Sequence, residues 1–315
     1  MITLAFVHPR RGAGTTTVVH HLAAMFADQG VCTLAVDLDP QAELSDRLRP
    51  DGGARSALLS DALGSRLSGG PAAGHPPLQA TPVADHLHLL AGDLGLTRLD
   101  DPLAAAWAAA LRGDPAGLRA FTVLPDAVRG AAAAAGAALA LVDLGPNLGP
   151  LHRAALLGAD HLVFPVADTP AGADALALLG GALHGWRASW AAARRAAGAG
   201  SGGPPPDLPP GELRPLGYIL HEVHSAASAS PVPAAYQRDI LDAPPPGPEP
   251  ELHRLAALRP YRSLMPLAQS AGKPMFRLRP ADGARGAHIE AVAACHADFL
   301  GLARALADRL HLPLG

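Results

Sequence analysis

The chain of 315 residues contains a single lysine, Lys273, two cysteines and only 4% aromatic residues. Lysine is scarce beside twenty-four arginines, and with abundant alanine, 34 glycines and 32 prolines this is the mark of a GC-rich coding bias. A lysine replaced by arginine therefore carries little meaning here; one replaced by another residue carries more. Cys32 and Cys295 make no CxxC pair, zinc spacing or disulfide framework, as expected of buried thiols in a reducing compartment. No excess of positive charge exists either. The 25 Lys plus Arg against 28 Asp plus Glu give a net charge of −3, which excludes a polybasic affinity for nucleic acid and leaves only a local patch. The longest weakly polar run, Gly130 to Val142, is too short to span a bilayer, and no basic n-region precedes the apolar start at Ile2. A soluble, cytoplasmic protein is expected.

What is present is material for a core: 49% hydrophobic against 17% charged residues. Ile2 to Val7 is a short apolar, β-branched run that predicts a buried strand. From Thr15 to Gln29 the apolar residues Val18, Val19, Leu22, Ala23, Met25 and Phe26 recur at helical spacing, and Gly30 closes the segment. Val31 to Val36 is again an apolar strand, ending at Asp37. Strand, loop, helix and strand within forty residues make a βαβ unit and hence a parallel sheet. Further strands are predicted at Leu87 to Leu90, Ala138 to Val142, Leu162 to Val166 and Leu216 to Leu220, and a last long helix at Ala287 to Leu310. These strands lack polar alternation, so both faces are covered, as in an open doubly wound, mostly parallel α/β sheet flanked by helices. Pro/Gly-rich loops are expected at 68–82, 198–211 and 243–250. None separates two self-sufficient halves, so one domain over 1–315 is expected.

The turn Pro9 to Thr17 (PRRGAGTTT) stands between the first strand and the first helix. Backbone N–H groups and the positive helix end gather an anion at such a place without special side chains. Taken alone, a glycine-rich turn there is equally an ordinary strand-to-helix connection.

Nearly the full chain, however, resembles the ParA/MinD family of deviant Walker P-loop ATPases. Arg10 to Thr17 (RRGAGTTT) aligns without a gap with the family's K-G-G-V-G-K-T-T. Val36 to Ser45 (VDLDPQAELS) is similar to V-D-x-D-P-Q-x-x-x-[ST]. Leu141 to Val166 resembles the Walker B strand, switch loop and following helix and strand, and Tyr261 to Phe276 looks like the partition branch. The resemblance implies ATP and Mg²⁺ as cofactors. It would place Arg11, Gly12, Ala13, Gly14, Thr15, Thr16 and Thr17 around the phosphates, with the Thr16 hydroxyl on Mg²⁺ and Thr17 near the α-phosphate. Asp39 would orient the attacking water or the magnesium shell, with Asp37 beside it, and Asp143 would hold the magnesium through water. His221 stands where the family often has an asparagine beside the adenine. Hydroxyl and carboxylate oxygens are also what a hard cation bound to phosphates requires.

Two positions depart from the pattern. The Walker lysine is Thr15 here, and coding bias would have chosen arginine; a lost charge-assisted hydrogen bond costs roughly 1.5–3 kcal/mol. Arg11 occupies a family glycine where the backbone approaches phosphate closely. The signature lysine that crosses a sandwich dimer aligns with Arg10, a swap that keeps charge and a planar fork. Arg11 either supplies charge in place of the missing lysine or is, like Arg10, a solvated loop residue on a relic site.

The histidines show no third ligand at a metal spacing, and no G-x-S-x-G elbow appears. Cys32 and Cys295 are misplaced for a cluster-bridging iron protein. Arginines gather in the last quarter; Arg262, Arg277 and Arg279 are candidate contacts for sequence-independent DNA binding, or part of a solvated face. The final helix suits packing against the sheet better than a membrane surface. The resemblance thus implies a nucleotide-dependent dimer switch in plasmid or chromosome partition or cargo positioning, a homodimer with a ParB-like centromere-binding partner and no membrane, with hydrolysis weak or lost. The competing expectation is an inactive scaffold that uses the same fold for dimerisation or partner binding.

Overall fold

A computed structural model describes residues 1–10, 12, 14–49, 58–68, 78–198, 208–221, 230–242 and 250–315. Arg11 and Ala13, and most of the three expected loops, lie outside the described residues. Among the described residues eight strands, β1 (Ile2–Phe6), β2 (Thr33–Asp37), β3 (Thr81–Ala84), β4 (Leu87–Leu90), β5 (Leu139–Asp143), β6 (His161–Ala167), β7 (Pro215–His221) and β8 (Arg254–Ala257), form one sheet in the order β3-β4-β2-β5-β1-β6-β7-β8. All neighbours are parallel except β3 and β4. The first helices are α1 (Thr15–Asp28), α2 (Glu43–Leu48), α3 (Leu59–Ser68), α4 (Asp100–Leu111), α5 (Pro115–Ala120) and α6 (Val123–Ala135). They are followed by α7 (Pro150–Gly158), α8 (Pro170–Gly198), α9 (Val232–Ala235), α10 (Met265–Ala271) and α11 (Ala287–Leu310).

The near-continuous apolar strands are explained by burial on both faces. Within β1, Leu4 and Phe6 point into one core and Ala5 into the other; in β2, Ala35 faces the first core and Leu34 and Val36 the second. The first core is closed by α1 and α11, where Cys295, Phe299, Leu302, Leu306 and Leu310 recur at helical spacing on the buried face. The second gathers Phe164, Tyr218 and Tyr236 with Trp190 of α8.

Several boundaries differ from the sequence expectation. Val31 and Cys32 do not open β2: Val31 N donates back to Phe26 O as part of the turn that closes α1, with Gly30 at φ +75°. Thr81 and Pro82, expected in a loop, begin β3; Pro is tolerated there because the strand lies at the sheet edge. The other edge strand, β8, escaped prediction because four residues beginning with an arginine give no periodicity.

Candidate functional site

The C-terminal ends of β1, β2, β5, β6 and β7 share one edge of the sheet, the edge at which doubly wound folds bind ligands. After β1 the chain turns through Gly12 and Gly14, whose φ angles of +79° and +71° lie in the left-handed region that favours glycine. Among the described residues no atom lies within 4 Å of a Cβ built at either, so conformation requires glycine there. Gly14 caps α1 without a side chain, and the first turn carries Thr15, Thr16 and Thr17 and no acidic residue that would repel an anion. Arg10 N donates to His8 Nδ1 (3.1 Å), tying the loop to the end of β1.

Asp37 and Asp143 end β2 and β5 as register partners. Asp37 is saturated: it accepts from Ser45 N (2.8 Å), Ser45 Oγ (2.7 Å) and Asp39 N (3.1 Å). Burial nevertheless pushes its carboxyl up to about 6. Asp143 is fully buried, and among the described residues neither carboxylate oxygen has a hydrogen-bond partner of acceptable geometry. Burial, then the charge of Asp37, holds it well above the usual carboxylate range, although the Thr16 hydroxyl is near enough to oppose this. Asp39 accepts from Gln41 N (3.0 Å) and packs on the backbone of Gly145, where an added Cβ would stand 2.6 Å from Asp39 Cγ.

A cleft of about 620 Å³ opens over this edge. Of the sequence-predicted site residues it brings together Arg10, Gly12, Gly14, Thr15, Thr16, Thr17, Asp39, His221 and Arg262. Asp143 lies beneath, near Thr16. Arg277 is elsewhere engaged, pairing with Asp28 (2.5 Å) and reaching Ala24 O on α1, while Arg279 is exposed at a short turn. Sequence reasoning missed Glu43 and Arg47 on α2 as cleft residues; Tyr261 and Arg259, one of the last-quarter arginines, also line the cleft, and both bind Asp298. Arg259 and Asp298 form a two-point ion pair (2.7 and 3.1 Å), and the Tyr261 hydroxyl donates to the same carboxylate. The spacing of Glu43 and Arg47 on a helix was legible as a pair; its position at the cleft was not.

Among the described residues no group of three or more His, Cys, Asp or Glu side chains is arranged to hold a metal, and no helix is long and apolar enough to cross a membrane.

No family model matches the chain. Over 166 residues it is 30% identical to Protein IncC of Escherichia coli, a match covering 53% of this chain and only 40% of the length of that relative. Among solved structures, an aspartate-to-alanine variant of McdA of Cyanothece in complex with ATP superposes over 97% of this chain and 96% of its own with a TM-score of 0.64 at 16% identity. The cell division ATPase MinD of Pyrococcus furiosus does so over 98% of each chain, with a TM-score of 0.59 at 17% identity.

Proposed function

From the ParA/MinD P-loop fold that this chain has, we propose that it is a nucleotide-dependent dimer switch of the partition or cargo-positioning kind, acting with a second copy of itself and a partner protein, with hydrolysis weak or lost. The observation that carries this reading is Asp143. Two carboxylate oxygens are buried without hydrogen bonds at the end of a central strand, below a cleft of nucleotide size that a helix N-terminus enters. An uncompensated buried carboxylate costs stability and persists where a ligand supplies its partner.

The residues fit magnesium and a triphosphate. Mg²⁺ keeps several waters and takes few protein ligands beside phosphate oxygens, so the scarcity of clustered ligands agrees with it. Thr16 would offer its hydroxyl to the ion, and Asp143 would hold ion-bound water. Asp39, fixed by Gln41 N and Gly145, would orient that shell or the attacking water. When bound, the ion would neutralise phosphate charge. Gly12 and Gly14 shape the turn whose amides would meet the phosphates, Thr17 lies one position further in, and His221 at the end of β7 would stand by the base. Arg10 would reach the phosphates of the facing copy. Arg262, Arg277 and Arg279 would contact DNA without reading sequence.

Thr15 favours a second reading, an inactive scaffold of the same fold, because a hydroxyl cannot replace an ammonium beside several negative charges. Titration with labelled ATP and Mg²⁺, followed by sedimentation, separates the two. Saturable binding with dimer formation supports the switch, and no binding at millimolar nucleotide supports the scaffold. In the Thr15→Lys variant, ATP turnover appearing above the native level is expected if the rest of the site is intact.

A further inference from the structure

The cleft contains a cation near its anion-binding end that no loop motif supplies. Arg47, on α2, directs Nη1 to Thr17 Oγ1 (3.0 Å) and Nη2 to Glu43 Oε1 (2.7 Å). Its side chain is 18% exposed against 54% for Glu43. Thr17 is the third residue of α1, within the turn whose N–H groups have no partner inside the helix. The guanidinium therefore stands beside the place where an anion would sit, not out on the surface. Both Arg47 and Thr15 line the same cleft. A half-exposed ion pair one helical turn long contributes little, so the link to Glu43 is easily exchanged. Guanidinium also has five donors in a fork, enough to keep Thr17 and bind a second acceptor.

We propose that Arg47 is the phosphate-binding cation of this chain: its guanidinium turns from Glu43 to a phosphate oxygen of the bound nucleotide and supplies the positive charge that Thr15 lacks. The inference rests on the nucleotide reading above. It adds a residue from α2 to a site otherwise built by the loop and the strand ends. It also gives Glu43 a role, since a carboxylate that holds the arginine in the empty cleft competes with phosphate for it.

The test is fluorescence titration of the full chain with N-methylanthraniloyl ADP and Mg²⁺, comparing the native protein with Arg47→Ala, Arg47→Lys and Glu43→Gln, each with a nucleotide-free melting curve. Arg47→Ala is expected to weaken binding about ten- to a hundredfold, the loss of one charge-assisted contact. Arg47→Lys should fall between it and the native protein, and Glu43→Gln should bind at least as tightly as native. If Arg47→Ala does not fold, the lysine and glutamine variants still decide. Native-like affinity in Arg47→Ala, or a loss in Glu43→Gln as large as in Arg47→Ala, overturns the proposal while leaving nucleotide binding intact. Absence of saturation in the native protein instead overturns the nucleotide reading, and this inference with it.

Discussion

Asp37 and Asp143 sit opposite each other on neighbouring strands, two buried carboxylates of which one has three hydrogen bonds and the other none. The saturated one is architectural: through Ser45, whose Oγ also accepts from Gly92 N (3.0 Å), it ties α2 to the sheet. The unsatisfied one is costly to the nucleotide-free fold. Asp143→Asn removes a carboxyl whose charged form burial disfavours in the fold but not in the unfolded chain, so the nucleotide-free variant should melt about 2 °C or more above the native protein at neutral pH. Differential scanning calorimetry reads this directly, and a lower melting temperature would show that Asp143 already has compensation in the empty protein.

Acid should loosen the contact between α1 and the segment before α11. His21 is buried, donates Nδ1–H to Thr17 O (2.8 Å) and accepts from Met275 N at Nε2 (2.9 Å), with its ring stacked on Phe299. Burial lowers its pKa from 6.5 to about 4. The unfolded chain thus takes up a proton below about 6.5 that the folded chain refuses until about 4, so stability falls as pH drops through that window, by on the order of 3 kcal/mol. Urea unfolding from pH 7.5 to 4.5 should show this fall, and His21→Gln should make it shallower, the buried His20 keeping its own share. Equal slopes in both proteins would assign the acid limb to other groups.

Gly145 tests how Asp39 is held. A Cβ there meets the Asp39 carboxylate well inside contact distance. Gly145→Ala should displace Asp39 and weaken Mg·ATP binding about tenfold or more, with a melting temperature changed much less than for a core substitution. Unchanged affinity would mean that Asp39 takes no part.

For DNA, Arg277→Ala with Arg279→Ala should lower retention on a DNA column at low salt and reduce the dependence of retention on salt. Since Arg277 also braces α1 through Asp28, a melting curve must accompany the measurement. Unchanged retention with the fold intact removes this face from consideration.

Local signals were legible where a single segment carried them. The strand Leu87–Leu90 and the helix Ala287–Leu310 have the predicted bounds because turn residues and helical periodicity mark them. The loop between β1 and α1 was readable from its glycines, and the carboxylates from their positions at strand ends. What was not legible depends on distant partners. Nothing near Arg47 in sequence places it against Thr17, thirty positions away, and nothing near Arg277 announces Asp28, 249 positions away. The saturation of Asp37 and the isolation of Asp143 are likewise properties of packing, since both follow apolar runs ending in the same Val-Asp pair.

The most direct measurement is calorimetric titration of ATP into the native chain and into Asp143→Asn, each with magnesium and with a chelator. Saturable binding that requires magnesium in the native protein and loses that requirement in the variant is the expected result. Binding that is absent at millimolar ATP, or equally magnesium-dependent in both proteins, would contradict the site described around Asp143.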